Sequence, residues 1–160
     1  MFVQHRFELG DRAQDHLQSL IAPFGYNGFG EALYYRTYSR IKNDGGQEDW
    51  ADTVIRNVNG TFSIRKDFYI KNRIPWNEAY WQEYAEGFGI YLHQMKWMPP
   101  GRGLWAMGSD FVYERGSMAL YNCAYTNLGG NDQFADDIGW VMDSLMHGVG
   151  VGFGPERGNL

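Results

Sequence analysis

A chain of 160 residues carries a formal net charge of −5, 21 glycines, one cysteine and 17% aromatic side chains. The acidic balance lacks the basic footprint of a nucleic-acid-binding module. No stretch approaches the ~20 apolar residues of a bilayer span, and the opening residues do not read as a signal peptide. One cysteine excludes an internal disulfide and points to a reducing, cytoplasmic setting.

In chain order, the first predicted element is a helix capped by Asp11, with Ala13, Leu17 and Leu20 on its apolar side and Pro23-Phe24-Gly25 as its stop. A turn-rich segment leads to a second short helix over Glu31 to Ile41, and Asn43-Asp44-Gly45-Gly46 reads as a loop. Trp50, Val54, Val58 and Phe62 recur every fourth residue, which predicts an amphipathic helix running to Lys71. Gly60 within it costs about 1 kcal/mol against Ala and marks a kink or a close approach. Beyond Pro75, Tyr80, Tyr84, Phe88 and Leu92 share a helical face that Trp81, Ala85 and Met95 widen. Pro99-Pro100 ends that helix, because neither residue has a backbone donor. A short helical turn follows through Gly108.

The segment from Ser117 to Thr126 reads as a buried strand that delivers Cys123. Leu128 to Asp132 forms a loop, with Asn131 or Asp132 as cap of the next helix. In that helix Phe134, Ile138, Val141, Met142 and Leu145 make one apolar face, suited to lie on a sheet. Gly148 to Phe153 then reads as a glycine-studded strand. Strand, helix and strand at this spacing predict a parallel pair with a right-handed crossover. The expected division is a helical region over 1–110 and a strand–helix–strand unit over 111–160. Two strands alone expose unpaired edges, so the arrangement reads as the front of a larger α/β fold.

Cys123 is either a small buried hydrophobe or a thiol free for chemistry. The run Gly148-x-Gly150-x-Gly152-x-Gly154 lacks the Gly-Lys-Ser/Thr of a phosphate loop. It fits a strand approached closely by a ligand or another chain, or a bulge. Pro99-Pro100-Gly101-Arg102-Gly103 is an ordinary turn or a place where backbone N–H groups and Arg102 meet an anion. His5, His16, His93 and His147 show no metal-ligand spacing, and Asp136-Asp137 reads as a solvated helix face. Arg36, Arg40, Arg56 and Arg65 suggest salt bridges on helices.

Several motifs resemble one family in order and spacing. They are Arg36-Thr37-Tyr38-Ser39-Arg40, Arg56-Asn57-Val58-Asn59-Gly60-Thr61, Trp97 to Trp105, Tyr113 to Ala124, and Met146 to Phe153. Nearly the whole chain is similar to the N-terminal part of the adenosylcobalamin-dependent (class II) ribonucleotide reductases, most of all the monomeric ribonucleoside-triphosphate reductases. The resemblance implies an α/β fold, a helical region plus the first βαβ unit of a ten-stranded α/β barrel. It implies conversion of ribonucleotides to 2′-deoxyribonucleotides by thiyl-radical chemistry with adenosylcobalamin, whose binding surface lies largely outside these residues. Cys123 would be one of two substrate-reducing cysteines. Asn122 would border the substrate, Gly101 and Arg102 would lie near its phosphates, and Val149 and Gly150 would offer backbone contacts.

The second reducing cysteine and the radical-bearing cysteine of the family have no counterpart in this sequence, so the chain alone is expected to be inactive. Expected partners are a ribonucleoside triphosphate, the remainder of the barrel in cis or trans, and a thioredoxin-like reductant, with no nucleic acid and no membrane. The alternatives are a non-catalytic nucleotide-binding module and a docking piece of a split reductase.

Overall fold

The structure, a computed structural model, describes residues 3–129 and 133–155. Helices α1 (Asp11–Ser19), α2 (Phe29–Thr37), α3 (Trp50–Lys71), α4 (Glu78–His93), α5 (Gly101–Ala106) and α6 (Asp110–Arg115) come first. A 3₁₀ turn (Ser117–Leu120) leads into strand β1 (Cys123–Leu128), helix α7 (Phe134–Met146) and strand β2 (Gly150–Pro155).

The centre of the helical part is α3. Its start is fixed by a reciprocal cap: the Asp49 carboxylate accepts the Asp52 N–H at 2.8 Å, and the Asp52 carboxylate accepts the Asp49 N–H at 3.2 Å. The predicted stripe Trp50, Val54, Val58 and Phe62 is buried throughout, packed with Leu9, Leu17, Trp81, Ala85 and Leu92. Gly60 marks a close approach rather than a kink. A Cβ there would fall 2.3 Å from the Gly108 backbone nitrogen, so a side chain would force the chain after α5 away from α3.

Several expected elements differ in detail. Asp11 is the first residue of α1, while Gly10 occupies the cap position and no side chain caps it. The second helix ends at Thr37. On α4 the buried face is Trp81, Ala85, Gly89 and Leu92, leaving Tyr80 and Tyr84 about half exposed. Gly89 explains the rotation. A Cβ there would sit 3.2 Å from both Leu17 and Val58, so its bare backbone is what lets α4 settle against α1 and α3. A hydrophobic-periodicity count gives a glycine no weight.

A second small cluster of Ala106, Val112 and Ala119, with Ile64 and Leu120 against it, ties the chain after α5 to α3. The segment expected as a strand from Ser117 is a 3₁₀ turn first, because Gly116, at φ 87°, ends α6 and redirects the chain. The strand begins at Cys123. The predicted parallel pairing is present among the described residues, with Cys123 beside Gly150, Tyr125 beside Gly152 and Asn127 beside Gly154. Helix α7 packs on both strands. Of its five predicted apolar positions only Val141 is buried, whereas Phe134, Met142 and Leu145 stand exposed. The cap expected at Asn131 or Asp132 lies outside the described residues.

Candidate active site

Arg56, Arg102 and two short backbone segments place the candidate residues. Arg56 forms a two-pronged ion pair with the buried Glu48, its Nε at 2.7 Å from Oε1 and its Nη2 at 3.0 Å from Oε2. The same guanidinium donates to the Met107 carbonyl at 2.6 Å and the Leu104 carbonyl at 2.9 Å, at the end of α5. A planar five-donor fork suits this double task. Thr53 donates to Glu48 at 2.8 Å, and the Tyr34 hydroxyl lies 2.7 Å from that of Thr53. Burial, reinforced by the charge of Glu48, pushes the Tyr34 hydroxyl up to about 12, so it stays a neutral donor.

Arg102 continues this brace from α5 to the sheet. Its guanidinium donates to the His147 carbonyl at 3.1 Å and also to those of Gly148 and Ala119. Gly148, at φ 78°, is required there. A Cβ on it would come within 2.8 Å of the guanidinium, and its left-handed backbone disfavours other residues. The positive charge expected near an anion is therefore also a structural clamp that fixes where β2 begins.

Gly101, Arg102 and Asn122 line one shallow cleft of about 380 Å³, together with Thr37, Tyr38 and Trp105. Tyr38 packs against the bare Cα of Gly101, where a Cβ would meet its hydroxyl at 3.0 Å. Thr37, Tyr38 and Trp105 had no expected role, although all three belong to motifs that resemble the family. Only the fold brings α2 beside α5.

Cys123 stands next to this cleft and not inside it. Expected as part of a buried strand, it is an exposed free thiol. Exposure alternates along β1, with Cys123, Tyr125 and Asn127 outward and Ala124, Thr126 and Leu128 partly covered. In a parallel pair, neighbours in register point to the same side. The outward face of β2 is therefore Gly150, Gly152 and Gly154, directly beside Cys123, Tyr125 and Asn127.

Val149 and Gly150 separate in role. Val149 is buried and its N–H donates to the Ser144 carbonyl at 3.1 Å; the Gly150 N–H donates to the Asn122 carbonyl at 2.9 Å. Neither N–H is free for a ligand. What Gly150 offers is an uncovered Cα on the face that carries Cys123. Among the described residues, no group of three or more His, Cys, Asp and Glu side chains could hold a metal ion.

Residues 9–109 match the family model for the ribonucleotide reductase alpha domain. The chain is 40% identical over 153 residues to an adenosylcobalamin-dependent ribonucleoside-triphosphate reductase of Euglena gracilis, covering 92% of this chain and 21% of that one. A probable enzyme of the same name in Dictyostelium discoideum is 40% identical over 134 residues, covering 82% of this chain and 18% of that one. The chain thus spans about a fifth of the length of the curated relatives it matches. A crystal structure of a B-12 dependent (class II) ribonucleotide reductase aligns with a TM-score of 0.79 at 27% identity, over 96% of this chain and 23% of that one. With the helical part matched as a family and the strand–helix–strand unit carried along in the structural alignment, this chain belongs to the ribonucleotide reductase alpha domain family.

Proposed function

We propose that this chain supplies the helical region and the first strand–helix–strand unit of a barrel enzyme that reduces ribonucleoside triphosphates to 2′-deoxyribonucleotides, with Cys123 as one of two substrate-reducing thiols. The observation that carries the reading is the position of Cys123. It is exposed on the open face of a parallel sheet, in register with Gly150 and next to Asn122, which borders the cleft of Gly101 and Arg102. Among the described residues no further strand pairs with β1 or β2 and much of the apolar side of α7 stands exposed, which supports a barrel that continues beyond these residues, in cis or in trans.

In this reading the substrate phosphates lie toward Gly101 and Arg102 and the ribose toward Asn122 and Gly150. Cys123 and a second cysteine from elsewhere in the protein give up two electrons and two protons as they join in a disulfide. The ribose 2′-hydroxyl leaves as water and a hydrogen takes its place. A dithiol reductant of the thioredoxin kind then restores both thiols. Adenosylcobalamin, when bound, supplies the radical chemistry that starts the reaction. In this reading the cofactor's binding surface lies largely in other parts of the protein.

The test is deoxynucleotide formation by the full-length protein with ribonucleoside triphosphate, adenosylcobalamin and a dithiol. Cys123→Ser should abolish turnover while nucleotide still quenches tryptophan fluorescence. The 160-residue chain alone, with one cysteine, should give no product. Wild-type turnover by Cys123→Ser would remove the thiol from the mechanism.

A further inference from the structure

We infer that Tyr38 is a further substrate-binding residue, whose hydroxyl donates a hydrogen bond to the phosphates of a ribonucleotide held beside Gly101; this rests on the reading of that cleft just given. Tyr34 and Tyr38 stand four residues apart, on α2 and at its C-terminal cap, so they share one side of the helix. Their hydroxyls are treated differently. That of Tyr34 is buried and bonded to the Glu48 and Asp49 carbonyls and to Thr53. That of Tyr38 has no hydrogen-bond partner among the described residues, although its partly buried ring packs against the main core. The ring is held, and its polar end is left open over the bare Cα of Gly101. A Cβ there would stand 3.0 Å from the hydroxyl oxygen and 3.2 Å from the ring.

The rest of the cleft has the same bias toward donors. Thr37 Oγ1, Trp105 Nε1 and the Asn122 side-chain amide also make no hydrogen bond among the described residues, and no aspartate or glutamate lines the cleft. Arg102 lines it, and a second guanidinium, that of Arg40, lies 5.1 Å from the centroid of the Trp105 ring and donates to the Trp105 carbonyl at 3.1 Å. Arg56 holds the Glu48 carboxylate by its Nε and Nη2; in Arg102 the three carbonyl contacts use Nη1 and Nη2 and leave the Nε–H unbonded. Hydroxyl, indole and guanidinium donors without a carboxylate suit an anion that offers several acceptor oxygens. The bare Cα of Gly101 leaves room for it beside the Tyr38 hydroxyl.

The experiment is steady-state deoxynucleotide formation by the full-length protein with adenosylcobalamin and a dithiol, at varied ribonucleoside triphosphate. Tyr38→Phe keeps the packed ring and removes only the hydroxyl. It should raise KM at least about tenfold, the scale of one hydrogen bond to a charged group, and leave kcat within about twofold, because the phosphates are held alike before and during the reaction. Its urea midpoint should match the wild type. The factor should be similar for purine and pyrimidine substrates, which share their phosphates. Gly101→Ala, whose Cβ crowds the hydroxyl, should raise KM as well.

KM unchanged in Tyr38→Phe but raised in Gly101→Ala would overturn the role of the hydroxyl and leave the cleft as the phosphate site. A rise confined to one base would place the hydroxyl on the base and overturn the assignment, as would a fall in kcat at unchanged KM. KM unchanged in both variants would overturn the reading of the cleft itself.

Discussion

Arg56 reaches from α3 to the carbonyls of Leu104 and Met107 while holding Glu48, and Arg102 reaches from α5 to the carbonyls of His147 and Gly148. Two guanidinium groups in relay therefore connect α3 to α5 and α5 to the residues that lead into β2. The Glu48–Arg56 pair is nearly buried, with side-chain exposures of 9% and 12%. Removing one partner leaves the other charge without compensation. Arg56→Met is expected to destabilise the protein by about 3–5 kcal/mol, whereas the double variant Glu48→Leu with Arg56→Met recovers much of that loss. Urea unfolding midpoints of the single and double variants check this. A single variant no worse than the double would show that the pair is solvated.

Among the elements, α3 is the best specified, by its buried stripe and by a cap that satisfies two N–H groups. Replacing Asp49 by Ala should cost about 0.5–2 kcal/mol, measured as a lower urea midpoint at an unchanged denaturant slope. The orientation of α4 is decided differently. Tyr80, Tyr84, Phe88 and Leu92 make a regular stripe in the sequence, yet α4 buries Trp81, Ala85, Gly89 and Leu92. Gly89 admits Leu17 and Val58 at close range, while the tyrosines, whose hydroxyls would need partners inside, stay half exposed. Helix α7 keeps its regular apolar face, but no described residue covers most of it.

Across the whole molecule, the core is concentrated around α1, α3 and α4, and two buried titratable groups make its stability depend on pH. His93 is buried, its Nε2 without a hydrogen-bond partner among the described residues, and this burial lowers its pKa below the ordinary 6.5. The unfolded chain then binds the proton more readily, so stability is full above about pH 6.5 and falls as pH drops below it. Burial pushes the Asp67 carboxyl up, but hydrogen bonds from Lys71, the Gln4 N–H and His5 outweigh it and hold it at about 2. Its contribution is present above about pH 4 and is lost as pH falls through about 2. Urea midpoints measured from pH 8 to pH 2 should decline in two stages. His93→Leu should flatten the first, and Asp67→Asn the second; a profile unchanged by His93→Leu would mean that the imidazole is already solvated.

Local periodicity and chemistry determined much of this protein. The span of α3, the βαβ connection, the parallel pairing and the thiol as the chemically distinctive residue all follow from near neighbours in the chain, where a period of 3.6 or 2 and a glycine or proline carry the information. Only the tertiary structure decided the rest. That Cys123 is exposed, that Arg102 is a clamp as well as a charge, and that Tyr38 joins Gly101 all depend on elements far apart in sequence coming together. The cause is physical: a side chain's neighbours across a sheet or between helices are set by register and by close approaches at glycine, and neither leaves a periodic mark along the chain.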